Sequence, residues 1–339
     1  MSDLTRALPL LALLCASPLT AQTPPAAAAK DAAQPALKDC TRGSLPARLP
    51  SIKWAHNRSL LVAQAPPAHV GADALVALGA DATISGKLAY GAASKDLEDE
   101  QVELWLSRCD SSGLQRITSA QTDDDGRVSM KIPSKWLETP GRYTARLRVS
   151  ADGSFVDATL WALPKGSPVI VFDIDGTLTT RDSELFRDLQ ADLFDPLRSG
   201  DYVPAARASG AALTQRWRKL NYPIVYLTGR PYWLTERSRA WLNDGGFAPG
   251  ALMLASSSEE LLPREDSVGA YKLARLRGLL KAGFIIHTAY GNAKTDVFAY
   301  KQAGIPAART FIVGPHGGEQ GSQALGADYT AHLKALDAP

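Results

Sequence analysis

With 339 residues and a formal net charge of +2, the chain has room for about two domains. A hydrophobic content of 45% and a charged content of 21% describe an ordinary globular protein and exclude a disordered one. The near-neutral balance, with no Lys/Arg-rich run, excludes a nucleic-acid or other polyanion binder.

Leu8 to Ala16 (LPLLALLCA) is a short apolar run behind Arg6, and Leu19-Thr20-Ala21 offers a small residue for cleavage. This pattern predicts a signal peptide over 1–21 and an exported protein, periplasmic or secreted. A buried N-terminal helix is the competing reading, because Asp3 offsets Arg6. Two cysteines follow, Cys40 and Cys109, which an oxidising compartment would join in one disulfide. Two unrelated buried thiols are the alternative. Residues 22–55 read as an Ala/Pro-rich linker.

From 56 to 165 the pattern has a period of two. Val102, Leu104 and Leu106 alternate with outward positions, as do Val128, Met130 and Ile132, and Tyr143, Ala145, Leu147 and Val149. Turn clusters such as Asp123-Asp-Asp-Gly126 separate the runs, and a small immunoglobulin-like β-sandwich is expected. For Asp123 to Asp125, a hairpin turn is preferred to a calcium loop.

From 166 to 339 strands alternate with helices, which predicts an α/β domain with a parallel sheet. Strands are expected at Val169 to Phe172, Pro223 to Leu227, Ala251 to Leu254, Phe284 to Ala289 and Phe311 to Val313. Helices are expected from Asp182 or Ser183, over Pro204 to Leu220, through Trp241, and over Ser267 to Leu280. The first strand ends in Asp173-Ile-Asp175-Gly176-Thr177. Ligands of open α/β sheets bind at the carboxyl ends of strands, and two acids there can divide attack on phosphorus from handling of the leaving-group proton. A calcium loop is disfavoured because the further oxygen ligand and the distal Glu are missing.

Other strand ends add to this pair. Thr228-Gly229-Arg230 offers a hydroxyl beside a glycine, suited to a phosphoryl oxygen. Lys272 can neutralise both carboxylate and phosphate, or be a solvated helix lysine. Asp296, behind Gly291-Asn292, suits magnesium together with Asp173 and the Asp175 carbonyl, or caps a helix.

DIDGTLT at 173–179, YLTGRP at 226–231, AYGNAKTDVFAY at 289–300 and FIVG at 311–314 together resemble the haloacid dehalogenase superfamily. More narrowly, residues 168–335 resemble the lipin-type phosphatidate phosphatase domain, also found at the C-terminus of retinal-degeneration-B-type phosphatidylinositol transfer proteins. The resemblance implies a doubly wound parallel sheet with no large cap, preceded by a sandwich domain. It implies Asp173 as nucleophile and Asp175 as acid/base. Thr177, Thr228, Gly229, Arg230 and Lys272 would contact substrate, and Asp173, Asp175, Asn292 and Asp296 would hold Mg2+. The expected partner is a phosphorylated lipid or a small phosphate ester, with peripheral membrane contact and no nucleic acid. Ala293 stands where the lipin loop carries Arg, and Thr177 where the transfer-protein branch tends to have Ser. A non-catalytic phosphatidate sensor is the main rival reading. An interaction protein with a vestigial phosphatase fold is another.

Overall fold

The computed structural model describes residues 36–110, 113–181, 203–255 and 265–337. The signal-peptide segment 1–21, the helix expected from Asp182 or Ser183, and the stretch in which a cap would be sought lie outside the described residues.

Eleven strands build the first half: β1 (Lys38–Cys40), β2 (Val70–Ala72), β3 (Ala74–Ala77), β4 (Ala82–Lys87), β5 (Ala89–Tyr90), β6 (Lys95–Asp96), β7 (Gln101–Leu106), β8 (Gln115–Gln121), β9 (Arg127–Ile132), β10 (Gly141–Val149) and β11 (Phe155–Leu163). One sheet runs β3-β11-β10-β7-β8 with β1 beside β10, a second runs β2-β4-β9, and β5 pairs with β6 in a two-stranded ladder. Ile84, Leu104, Leu147 and Met130 fill the space between the two larger sheets. This is the expected sandwich. Cys40 and Cys109 are disulfide-bonded with Cα atoms 4.4 Å apart, tying β1 to the segment after β7.

Two details differ from the sequence reading. In β7 the outward positions Glu103 and Trp105 are also buried, as is Arg148 on β10. Glu103 Oε2 accepts from Arg148 Nη1 at 3.0 Å and from Trp105 Nε1 at 3.0 Å, so paired polar groups line that face. The Asp123 turn joins β8 to β9, which belong to different sheets, so it crosses the sandwich and is not a ladder hairpin. Asp123 Oδ1 accepts the N–H groups of Asp125 and Arg127 and closes the turn.

The second half carries β12 (Pro168–Phe172), β13 (Ile224–Pro231), β14 (Gly250–Ala255), β15 (Ile285–Gly291), β16 (Thr310–Ile312) and β17 (Gln323–Ala324). They form one parallel sheet in the order β14-β13-β12-β15-β16-β17. The chain leaves β12 in one direction for β13 and β14 and in the other for β15 to β17. The carboxyl end of β12 therefore lies at the switch point where such sheets bind ligands.

The helices of the described residues are α1 (Asn57–Val62), α2 (Gly210–Lys219), α3 (Thr235–Asp244), α4 (Glu265–Lys281), α5 (Lys294–Gln302) and α6 (Thr330–Asp337). Alternate residues of β12 face opposite cores. Val169 and Val171 pack with Leu276 of α4 and Val297 of α5. Ile170 and Phe172 pack with Leu213 of α2 and Leu242 of α3. The first of these cores also contains Ala77, Trp161 and Leu163 of the sandwich, so the two halves share apolar packing. Helix α2 starts at Gly210 and not near Pro204, because Ser209 has a left-handed φ of 60° that no helix continues through.

Candidate functional site

Asp173 directly follows β12, where its N–H donates to Tyr290 O of β15 at 3.0 Å. Gly176 turns the chain with a φ of 67°, a conformation that costs glycine little. Its N–H donates to Thr179 Oγ1 at 2.8 Å. Arg207 clamps the outside of this loop, donating from Nε to Thr177 O at 3.0 Å and from Nη2 to Gly176 O.

Lys272 of α4 sits between two carboxylates. Its Nζ lies 2.6 Å from Asp173 Oδ1 and 2.6 Å from Asp296 Oδ1. The residue is only 4% exposed, which corrects the reading of a solvated helix lysine. Asp296, fully buried in the first turn of α5, uses its other oxygen to accept the N–H groups of Asn292 at 3.0 Å and Ala293 at 3.1 Å. Both oxygens of Asp296 are thus spent on lysine and on the helix N-terminus. A Cβ on Gly291 would come within 2.5 Å of Asp296 Cβ, so only glycine permits this approach.

Thr177 Oγ1 lies 2.9 Å from Asp173 Oδ2 and 2.8 Å from Asn292 Oδ1. One hydroxyl proton serves two acceptors there. With both acids ionised, Asp173, Asp296 and Lys272 together carry one uncompensated negative charge in a buried setting. Burial, aided by Asp296 and Asp175 and opposed by Lys272, pushes the Asp173 carboxyl up to about 8. Burial works to lower the Lys272 ammonium, but Asp173 and Asp296 outweigh it and raise its pKa. A hard cation would relieve the same excess charge in place of a proton. The oxygens converging on Thr177, Asp173 Oδ2 and Asn292 Oδ1, are of the type magnesium prefers. Among the described residues no cluster of three or more acidic, His or Cys side chains is grouped as a metal site. The fit therefore rests on Asp173 and Asn292, with the Asp296 side chain given to Lys272.

Asp175 faces the other way. Arg230 Nη2 donates to its Oδ1 at 2.8 Å and Arg230 Nε to its Oδ2 at 3.0 Å, while Thr228 Oγ1 donates to Oδ2 at 2.9 Å. Arg230 is 3% exposed and also donates from Nη1 to Ser238 Oγ of α3 at 2.9 Å. Thr228 and Arg230, expected to contact a phosphate, both hold Asp175 in this structure. Gly229 lies against Val268 of α4, where a Cβ would meet Val268 Cγ1 at 3.0 Å. The sheet thus brings Asp173, Thr177, Lys272, Asn292 and Asp296 into one cluster and Asp175, Thr228 and Arg230 into a second beside it.

Sequence reasoning missed Arg207 and Ser238. Arg207 fell within the stretch read as helix. Ser238 carried no signal except its place seven residues beyond Pro231 of TGRP.

Residues 170–314 match the LNS2 domain of PITM 1-3, and residues 67–162 match the beta-sandwich domain of PITM 1-3. Protein retinal degeneration B of Drosophila melanogaster is 29% identical over 295 residues, covering 85% of this chain and 22% of that protein. Human membrane-associated phosphatidylinositol transfer protein 3 is 28% identical over 295 residues, covering 85% of this chain and 28% of that protein. Human membrane-associated phosphatidylinositol transfer protein 1 is 26% identical over 312 residues, covering 90% of this chain and 23% of that protein. The chain thus spans less than a third of the length of these relatives.

These relatives overturn the exported, periplasmic or secreted location read from Leu8 to Ala16, since transfer proteins of this kind are named as membrane-associated. Nine apolar residues behind a single, offset positive charge are a weak address, because short apolar runs also serve buried helices. No helix among the described residues is long and apolar enough to cross a membrane. Residues 67–162 and 170–314 are thus similar to the beta-sandwich domain of PITM 1-3 and to its LNS2 domain, which is of the lipin-like, haloacid dehalogenase type.

Proposed function

We propose that the chain is a magnesium-dependent phosphomonoester hydrolase acting on phosphatidate or a related lipid phosphate through an aspartyl-phosphate intermediate. The observation that carries this reading is the Lys272 ammonium held 2.6 Å from Asp173 at the end of β12. A buried lysine so placed can neutralise charge on the acid and on an incoming phosphoryl group. The haloacid dehalogenase-like, doubly wound arrangement of the sheet belongs to the same proposal.

Asp173, ionised, attacks phosphorus, and the ester P–O bond breaks as the alcohol departs with a proton. Water then attacks the acyl phosphate, returning the Asp173 carboxylate and releasing inorganic phosphate. Lys272 opposes the upward push of burial on the Asp173 carboxyl and so favours the ionised nucleophile, and Thr177 fixes the orientation of Oδ2. Asp175 is the candidate proton carrier in both halves. Bound magnesium would supply charge neutralisation for the transferring group, held by Asp173 and Asn292.

One observation favours a binding-only reading. Both Asp175 oxygens accept hydrogen bonds from Arg230, which leaves neither free to donate a proton to an alkoxide. Hydrolysis therefore requires one Asp175 oxygen to be freed during turnover while Arg230 keeps hold of the other. Release of phosphate from phosphatidate vesicles and from soluble alkyl phosphates, with and without magnesium, separates the readings. The proposal expects magnesium-dependent release, faster from vesicles. Vesicle binding with no release from either substrate would establish the sensor instead.

A further inference from the structure

The connection between β2 and β3 contains one acid, Asp73, in the apolar run Val70-Gly-Ala-Asp-Ala-Leu-Val-Ala77. Its side chain has no exposed surface. Four donors satisfy it. Thr159 N–H of β11 reaches Oδ1 at 2.7 Å, and Leu252 N–H of β14 reaches Oδ2 at 3.0 Å. Arg239 of α3 adds a two-pronged pair, Nη2 to Oδ1 at 3.0 Å and Nη1 to Oδ2 at 3.1 Å. One sandwich carboxylate thus binds the sandwich itself, the edge strand of the parallel sheet and helix α3. Arg239 also has Glu236 Oε1 at 3.8 Å, on its own helix.

The residue before Arg239 is Ser238, which is buried and accepts from Arg230 Nη1. Consecutive helical side chains diverge by about 100°. Helix α3 therefore presents Ser238 to the Arg230–Asp175 pair and Arg239 to Asp73. We propose that Asp73 is a positioning residue. It fixes α3 against the sandwich, and α3 in turn holds Arg230, which holds Asp175. The sandwich domain then acts as the outer support of the second carboxylate, not only as a packing partner. Ion pairs with two-pronged geometry restrain orientation as well as distance, which suits this task. The importance of the chain of contacts for catalysis rests on Asp175 being a working acid, but the contacts themselves can be tested without turnover.

The test follows the Arg230 Nε–H proton by NMR in the full chain, assigned through its loss in Arg230→Lys. In the wild type, a buried N–H donating to a carboxylate should exchange slowly with solvent. Asp73→Asn, which keeps the size of the side chain and removes its charge, should speed that exchange at least about tenfold and move the resonance. Arg239→Lys gives the same readout should Asp73→Asn fail to fold. Leu163→Ala, in the core shared by the two halves, serves as the structural control: it lowers the melting temperature but should leave the Arg230 proton unchanged. An unchanged Arg230 proton in folded Asp73→Asn or Arg239→Lys would overturn the proposal, as would an equal effect of Leu163→Ala. Absence of phosphate release from the wild type would count against the hydrolase alone, since this readout does not depend on it.

Discussion

Asp296 and Lys272 are 2.6 Å apart with neither group open to solvent. The pair fixes which acids remain for other work. Asp296 closes the first turn of α5 and anchors the lysine, the lysine reaches Asp173 Oδ1, and Thr177 bridges Asp173 Oδ2 to Asn292 Oδ1.

Lys272→Ala should lower phosphate release by at least about a hundredfold, the usual scale for one electrostatic stabiliser. Stability should fall as well. Removing the lysine leaves two carboxylates buried with no cation, a loss of about 3–5 kcal/mol for a broken buried pair. Urea unfolding checks this, and an unchanged midpoint would contradict the burial seen here.

Asn292→Leu and Asp296→Asn should separate the two duties of the α5 loop. Loss of the Asn292 oxygen should raise the magnesium concentration needed for half-maximal phosphate release about tenfold or more, with a small change in melting temperature. Asp296→Asn should instead lower the melting temperature, since an amide cannot match both the ammonium and the backbone N–H groups. The reverse pattern would return the metal-ligand role to Asp296.

His69 offers a pH test in the sandwich. Ala89 N–H donates to its Nδ1 at 3.1 Å, so the ring proton lies on Nε2, toward Ser154 Oγ at 2.9 Å. Burial pushes its pKa down from 6.5 to about 4, against an opposing pull from Asp152. The unfolded chain therefore binds the extra proton first. The His69 contribution to stability should be full above about pH 6.5, decline as pH falls, and reach its floor near pH 4, a loss on the order of 3 kcal/mol at most. His332, lowered by burial to about 4, should add to the same trend. In His69→Gln the dependence over this window should flatten, and an identical slope would rule His69 out as its source.

Much of this was legible in the sequence because the signals were local. The apolar run ending in DIDGT marked β12 and its carboxyl end, and the alternation in Tyr143 to Val149 marked β10. Lys272 could be named, but not its burial, since its partners stand 99 and 24 residues away. The bonds from Thr228 and Arg230 to Asp175 were not legible for the same reason. A hydroxyl and a guanidinium suit a phosphate and a neighbouring carboxylate equally well, and only the fold places Asp175 against them. Asp73 left a trace, one acid among apolar residues, whose meaning depended on Arg239 far along the chain.

Trapping of the covalent intermediate tests the central claim most directly. Wild-type protein is mixed with phosphatidate vesicles carrying radioactive phosphate, quenched in acid within one turnover, digested and mapped. The account predicts label on the peptide containing Asp173, removable by hydroxylamine, and no label in Asp173→Asn, which should still bind the vesicles. Phosphate release without any labelled peptide, or label that persists in Asp173→Asn, would contradict it.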